Sequence, residues 1–303
     1  MIDVSPKATT LRYALAKGAI HASPETIARV RERTVPKGDV LEVARAAGIN
    51  AAKRCSDWMI FCHNLPLDWV EIRFEPEETR IKVFAEVKAI WRTGVEMEAM
   101  AAVTGALLNM YDMLKPLDDD LRLGDIRLIR KRGGKGGYRV GFETPLQTAI
   151  VVTSSAVHDG SRENRGAALL RELLATEPLD IAVDTVLPDD RTAIAAELTR
   201  LAEEEMDLIF TVGGTGPGGD DVTPDATRDV IERELPGVVE ALRGYGQART
   251  PLAMLSRQTG GLRGDTIIIN LPGSSGGIRE SVEALFPGLL HLVLNLRRPD
   301  DGA

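Results

Sequence analysis

The run Gly213-Gly214-Thr215-Gly216-Pro217-Gly218-Gly219-Asp220-Asp221 combines backbone freedom with negative charge in one short stretch of a 303-residue chain. Glycine tolerates φ > 0, so such a loop lets main-chain N–H groups approach a ligand closely. Two carboxylates beside a phosphate-cradling loop make chemical sense near a cation, and the run therefore predicts a phosphate site with Mg2+. Residues 208–212, Leu-Ile-Phe-Thr-Val, read as the buried strand that delivers the loop. Thr223-Pro224-Asp225 reads as the helix start beyond it, with a hydroxyl N-cap, Pro at the first position and an acid in the first turn. Residues 214–219 also satisfy G-x-G-x-x-G, but that fingerprint closes the first strand of a βαβ unit and runs straight into its helix. Here two strands precede it, acids and a proline intervene, and no G-x-x-x-x-G-K-[ST] occurs, which disfavours dehydrogenase and P-loop readings.

A second group of charged residues lies in the first half. Lys37-Gly38-Asp39 precedes a helix over 39–54 whose apolar residues are Val40, Val43, Ala44, Ala47 and Ala51. Cys62-His63 sits in an apolar loop. Glu96 and Glu98 flank Met97 at the start of a long helix over 95–114 with the stripe Met100, Val103, Leu107, Tyr111 and Leu114, ended by Pro116. Asp112 and Lys115 share one face near its end. The helix dipole alone accounts for acids at a start and a lysine at an end. The chemical alternative is a lysine acting as a general base near neutral pH, its pKa lowered by burial or a cationic neighbour. Residues 70–74 and 80–87 alternate around Glu75-Pro76-Glu77-Glu78 as an antiparallel hairpin, and 126–129 is a further strand before Gly133-Gly134-Lys135-Gly136-Gly137. This order predicts an α+β domain over 1–142, ferredoxin-like with an antiparallel sheet.

Glu143-Thr144-Pro145-Leu146 reads as part of a linker over 143–147. From 148 to 303 strands at 149–153, 181–186, 208–212 and 266–271 alternate with helices at 165–175 and 192–202 and a final helix that Pro287 kinks or divides. The pattern predicts an α/β domain with a doubly wound parallel sheet, its ligands at the carboxyl ends of the strands. Pro188-Asp189-Asp190, Gly213-Gly214-Thr215-Gly216 and Pro272-Gly273-Ser274 all fall at such ends.

A formal charge of −8 argues against a general nucleic-acid or membrane surface, so anionic substrates must be held by local lysines and arginines. Cys55 and Cys62 are too few for a disulfide framework. With no apolar signal region or spanning stretch, the chain reads as cytoplasmic.

Asp3-Val4-Ser5-Pro6-Lys7, Lys37-Gly38-Asp39-Val40, Ala51-Ala52-Lys53-Arg54, Cys62-His63, Thr93-Gly94-Val95-Glu96-Met97-Glu98-Ala99, Tyr111-Asp112-Met113 and Gly133-Gly134-Lys135 resemble the cyclic pyranopterin monophosphate synthase (MoaC) family over residues 2–137. The resemblance implies rearrangement of a cyclised GTP derivative to cyclic pyranopterin monophosphate with loss of pyrophosphate. It places catalytic lysines at Lys37 and Lys115, with His63, Glu96, Glu98 and Asp112 lining the pocket, Met97 beside the substrate, and Arg12, Lys131 and Lys135 as phosphate contacts.

Pro188-Asp189, residues 213–217, residues 221–227, Leu255-Ser256-Arg257-Gln258 and Asn270-Leu271-Pro272-Gly273 resemble the molybdopterin adenylyltransferase family (MogA and its relative MoaB). This implies AMP transfer from Mg-ATP to molybdopterin, with Asp189 and Asp221 as functional and metal-binding carboxylates. Gly213, Gly214, Thr215, Gly216 and Ser274 would face phosphate. Ser154-Ser155-Ala156 stand where that family usually has Ser-Asp-Arg, and this favours the alternative of a non-catalytic molybdopterin-binding and oligomerisation module. The two resemblances together imply a homo-oligomer with three-fold symmetry, a trimer or hexamer.

Overall fold

Ala14, Ala16, Gly18 and Ile20 alternate along residues 10–21, and all four are buried. They belong to β1 (Thr10–His21), an interior strand of an antiparallel sheet. Alanine and glycine are poor strand formers, so the pattern carries little sequence signal. Their smallness is nonetheless required, because a Cβ on Gly18 would come within 2.8 Å of Val103 and Leu107.

The structure, a computed structural model, describes residues 1–297. It separates into two compact units, Met1–Tyr138 and the chain from Arg139 onward. In the first unit β1 is followed by α1 (Pro24–Arg31), α2 (Val40–Lys53), α3 (Cys55–Trp58), β2 (Trp69–Pro76), β3 (Arg80–Trp91), α4 (Glu96–Leu114) and β4 (Arg122–Arg132). The sheet order is β2-β3-β1-β4, antiparallel at every pairing. Asp39 caps α2, accepting from the N–H groups of Leu41 and Glu42 at 3.1 and 3.2 Å, which satisfies donors that a helix start leaves unpaired. Helices α2 and α4 approach through small residues: a Cβ on Gly105 would lie 2.4 Å from that of Ala51. This close approach turns Ala102, Ala106 and Met110 inward beside Val103 and Leu107. Tyr111 and Val43, expected on the inner faces, are exposed instead, since no room remains for them between the helices.

The second unit comprises β5 (Leu146–Thr153), α5 (Ser155–His158), α6 (Arg165–Leu174), β6 (Leu179–Leu187), α7 (Arg191–Glu203), β7 (Leu208–Val212), α8 (Thr223–Val230), β8 (Arg233–Glu234), α9 (Pro236–Gln247), β9 (Gly260–Arg263), β10 (Thr266–Leu271), α10 (Ser275–Leu285) and α11 (Gly288–Leu296). Its sheet runs β6-β5-β7-β10-β9-β8. The first four strands are parallel, whereas β9 and β8 pair antiparallel, so the sheet is mixed and mostly parallel rather than wholly parallel. The reversal comes from Gly264-Asp265, with Gly264 at φ +55; a two-residue link joins antiparallel neighbours only.

Alternate residues of β5 feed two cores. Ile150 and Val152 pack with α6, α10 and α11, and Ala149 and Val151 with α7 and α8. Leu146, placed in the linker by its sequence, is buried and already part of β5. Pro287 divides the final helix into α10 and α11. Among the described residues no helix is long and apolar enough to cross a membrane.

Candidate functional site

The first unit brings together Lys37, Asp112 and Lys115 at the end of α4. Lys37 Nζ donates to the Asp112 carboxylate at 3.0 Å and to its backbone carbonyl at 2.7 Å. Lys115 Nζ lies 2.8 Å from the other carboxylate oxygen. Hydrogen bonds from Lys115 and then Lys37 hold the Asp112 carboxyl below its usual range, and Asp112 in turn raises Lys115. The expected lysine of lowered pKa is therefore not found at 115: its ammonium is exposed and already paired with a carboxylate, so it stands protonated at neutral pH.

The start of α4 holds a different group. Glu96 pairs with Lys131 at 3.2 Å. Arg12 donates to the carbonyls of Trp91 and Arg92 at 3.1 and 3.0 Å. Glu98 is buried, and burial raises its carboxyl and the nearby thiols of Cys55 and Cys62. His63 contacts the carbonyl of Ile2 at 3.0 Å, Met97 is exposed at the helix start, and Lys135 opens a 3₁₀ turn after β4. With 19 residues in α4, the two groups stand roughly 28 Å apart along the helix. One copy of the chain does not unite the expected site.

In the second unit the loops after β5, β6, β7 and β10 converge on a cavity of about 850 Å3 lined by Ser154, Asp189, Gly213, Thr215, Asp221 and Ser274. Gly213 takes φ +110, and a Cβ there would lie 2.5 Å from the Thr153 carbonyl. Gly214, at φ +57, faces the Thr223 hydroxyl in the same way. Only glycine fits this turn. Thr223, expected as the N-cap, instead begins α8 and gives its hydroxyl to Thr153 Oγ1 at 2.9 Å. It helps bind β5 to the β7 loop rather than closing its own helix. Asp221 folds into the loop and accepts the Gly218 N–H at 2.9 Å. Asp189 Oδ2 accepts the Ser155 N–H at 2.8 Å, while Ser155 Oγ accepts the Asp189 N–H at 3.0 Å. Ser274 caps α10 through Gly277 N–H at 3.2 Å. Among the described residues no three His, Cys, Asp or Glu side chains gather as a metal site, so a cation here would rest on Asp189, Asp221 and ligand oxygens.

Two arginines were given no role by the sequence, although Arg257 stands in the motif Leu255-Ser256-Arg257-Gln258. The Arg257 N–H donates to the Thr215 carbonyl at 2.7 Å, and its guanidinium donates to the Asp221 carbonyl at 3.2 Å and to both Asp225 oxygens at 2.6 Å. Arg257 thereby fixes both ends of the glycine loop and holds the Asp225 carboxyl below its usual range. Arg162 donates to Ser154 Oγ at 2.6 Å on the cavity wall. The signal available for it was a basic residue in the polar run after the first strand of the unit.

Residues 1–134 match the MoaC family, and residues 149–291 match the family described as "Probable molybdopterin binding domain". Over 291 residues the chain is 40% identical to the molybdenum cofactor biosynthesis bifunctional protein of Chlorobaculum tepidum, covering 96% of this chain and 92% of that protein. It is 36% identical over 315 residues to the protein of the same description from Synechococcus elongatus, covering 100% and 99%. The crystal structure of the molybdopterin biosynthesis enzyme MoaB from Thermus thermophilus is 41% identical, with a TM-score of 0.48, covering 50% of this chain and 96% of that one.

Proposed function

The chain belongs to the family of molybdenum cofactor biosynthesis bifunctional proteins, and we propose that its two units catalyse two separate steps. The first unit converts a cyclised GTP derivative to cyclic pyranopterin monophosphate and pyrophosphate. The observation that carries this reading is the Lys37–Asp112–Lys115 cluster. Two ammonium groups suit a triphosphate, and a protonated Lys115 is poised to give a proton to departing pyrophosphate, with Asp112 keeping it charged until then. The β–α–β–β–α–β order with β1 between β3 and β4 supports the ferredoxin-like description. The separation along α4 supports a homo-oligomer, three-fold symmetric as a trimer or hexamer. In it the Lys115 end of one copy meets the Glu96 end of another.

The second unit adenylylates molybdopterin with Mg-ATP. A magnesium ion takes oxygen ligands, usually one or two carboxylates with substrate phosphates, and Asp189 and Asp221 on the cavity wall suit that donor set. When bound, the ion neutralises phosphate charge. Main-chain groups of Gly213 and Gly214 and the Arg162 guanidinium align the nucleotide. A second reading, a molybdopterin-binding and oligomerisation module without catalysis, is favoured by the reciprocal Ser155–Asp189 pair, which engages Asp189 within the fold. Supplying the whole chain with molybdopterin and Mg-ATP and measuring pyrophosphate decides between them. Release dependent on both supports transfer, and no release with molybdopterin bound supports the module.

A further inference from the structure

One face of the first unit's sheet is strongly basic, although the whole chain carries a formal charge of −8. A Cβ on Gly18 would meet Val103 and Leu107 of α4, so the even-numbered residues of β1 face the helices. Tyr13, Leu15 and Lys17 therefore face the other way. Register extends that open face across the strands. Tyr13 lies between Arg132 of β4 and Lys88 of β3, with Trp69 of β2 beyond Lys88. Leu15 lies beside Arg130, and Lys17 between Arg127 and Phe84. The three arginines are exposed, and Tyr13 and Lys17 are half-buried. Lys131 is opposite Ala14, turns to the other side of β4 and pairs with Glu96. The open face is thus separate from the candidate site.

The two halves of this face differ in charge. Glu71 and Glu86 stand on β2 and β3, where Arg73 pairs with Glu86 at 2.8 Å. The β1–β4 half has no carboxylate from Tyr13 to Lys17 or from Arg127 to Arg132. Among the described residues none of Lys17, Arg127, Arg130 and Arg132 has an ion pair. Like charges gathered this closely repel one another until a polyanion neutralises them. Successive rows stand roughly 7 Å apart along the strands, and neighbouring strands roughly 5 Å apart, so these cations span a few nucleotides. Unpaired bases stack on aromatic side chains, and a four-stranded sheet with aromatics on its open face is one platform for it. Tyr13 offers such a ring, and so does Trp69, which is 47% exposed. A second copy set on this face about a two-fold axis would bring arginines against arginines, which favours an anionic partner. We propose that the open face of the first unit's sheet binds single-stranded nucleic acid, with Lys17, Arg127, Arg130 and Arg132 holding phosphates and Tyr13 and Trp69 stacking bases.

The test uses the full chain and a fluorescein-labelled oligouridylate of about 16 nucleotides without a terminal phosphate, followed by anisotropy. If three or four phosphates are neutralised, affinity should fall roughly 20- to 50-fold between about 50 and 200 mM salt. Arg130→Glu should weaken binding about tenfold or more and flatten the salt dependence. Tyr13→Leu should weaken it about fivefold or more, whereas Tyr13→Phe, which keeps the ring, should bind as wild type does. All three variants should melt with wild type, since the changes lie on the open face. Oligothymidylate of the same length separates the sources: equal binding assigns the strand alone, and a preference for uridylate assigns RNA. No binding by wild type at about 50 mM salt overturns the assignment. Unchanged affinity in Tyr13→Leu beside a weakened Arg130→Glu overturns it too, because it marks a surface for any polyanion. So does a smaller particle for Arg130→Glu in light scattering when wild type ignores the strand, which marks a contact between copies.

Discussion

Replacing Asn270 by Leu should destabilise the second unit by an amount that can be worked from its contacts. Asn270 is fully buried. Its Nδ2 donates to Thr211 Oγ1 on β7 at 2.9 Å and to Thr227 Oγ1 on α8 at 2.8 Å, and its Oδ1 accepts the Thr259 N–H at 3.2 Å. The next residue, Leu271, accepts the Gly213 N–H at 3.1 Å, so the network stands directly beneath the glycine loop. Leucine has similar size and no polar atoms. It leaves the buried Thr259 N–H unpaired, at about 1–3 kcal/mol, and removes a bond from each threonine hydroxyl, at about 1 kcal/mol apiece. The sum, about 3–5 kcal/mol, is a large part of the roughly 5–15 kcal/mol that holds a domain folded. For a unit of this size it lowers melting by roughly 6–20 °C. Calorimetry of the full chain should show that fall in the second unit's transition with the first unit's unmoved. Asn270→Asp adds a sign test. Burial raises the folded carboxyl above its unfolded pKa, so stability is fullest below the unfolded value and is lost as pH rises through the folded one. An Asn270→Leu protein melting within about 2 °C of wild type, under 1 kcal/mol on the same scale, would refute the network's role.

Asp221→Asn keeps an oxygen to accept the Gly218 N–H, so melting should be unchanged while AMP transfer falls by orders of magnitude; wild-type turnover removes Asp221 from the metal site. Arg257→Lys loses the fork that spans Asp225 and the Asp221 carbonyl, and isothermal titration should show Mg-ATP affinity falling about tenfold. Undiminished affinity shows that the glycine loop holds its shape without Arg257. Burial raises Glu98, so the stability of its neutral form is complete below the unfolded value of about 4.3 and declines as pH rises through the folded pKa. Glu98→Gln should therefore gain on wild type in melts taken from acid to neutral pH, and a constant difference would contradict that environment.

Much of the site was legible because it depends on local chemistry. A strand, a glycine run and an acid predict the Gly213–Asp221 turn wherever the sheet places it, and the apolar period after Asp39 predicts the helix that follows. Contacts between distant segments were not legible. No strand was expected over residues 10–21, because alanine and glycine carry little strand signal, and only the close packing of α4 explains them. Gly264-Asp265 is a hairpin signal outweighed by the βαβ rhythm around it. The capping role expected of Thr223 was displaced by a hydroxyl seventy residues earlier. The Lys115 ammonium is charged because the Asp112 carboxylate meets it on an exposed helix end, whereas its sequence neighbours alone left a buried base open.

The central claim, that the first unit works by proton transfer at Lys115, is tested by giving the full chain the cyclised GTP derivative and quantifying cyclic pyranopterin monophosphate and pyrophosphate for wild type and Lys115→Arg. Arginine keeps the positive charge beside Asp112 but does not exchange its proton near neutral pH. Wild type should form both products. Lys115→Arg should retain substrate binding and wild-type melting while product formation falls by roughly 10²–10⁴-fold, the usual worth of a positioned acid or base. Product formation by Lys115→Arg within a few-fold of wild type, or none by wild type, would contradict the account.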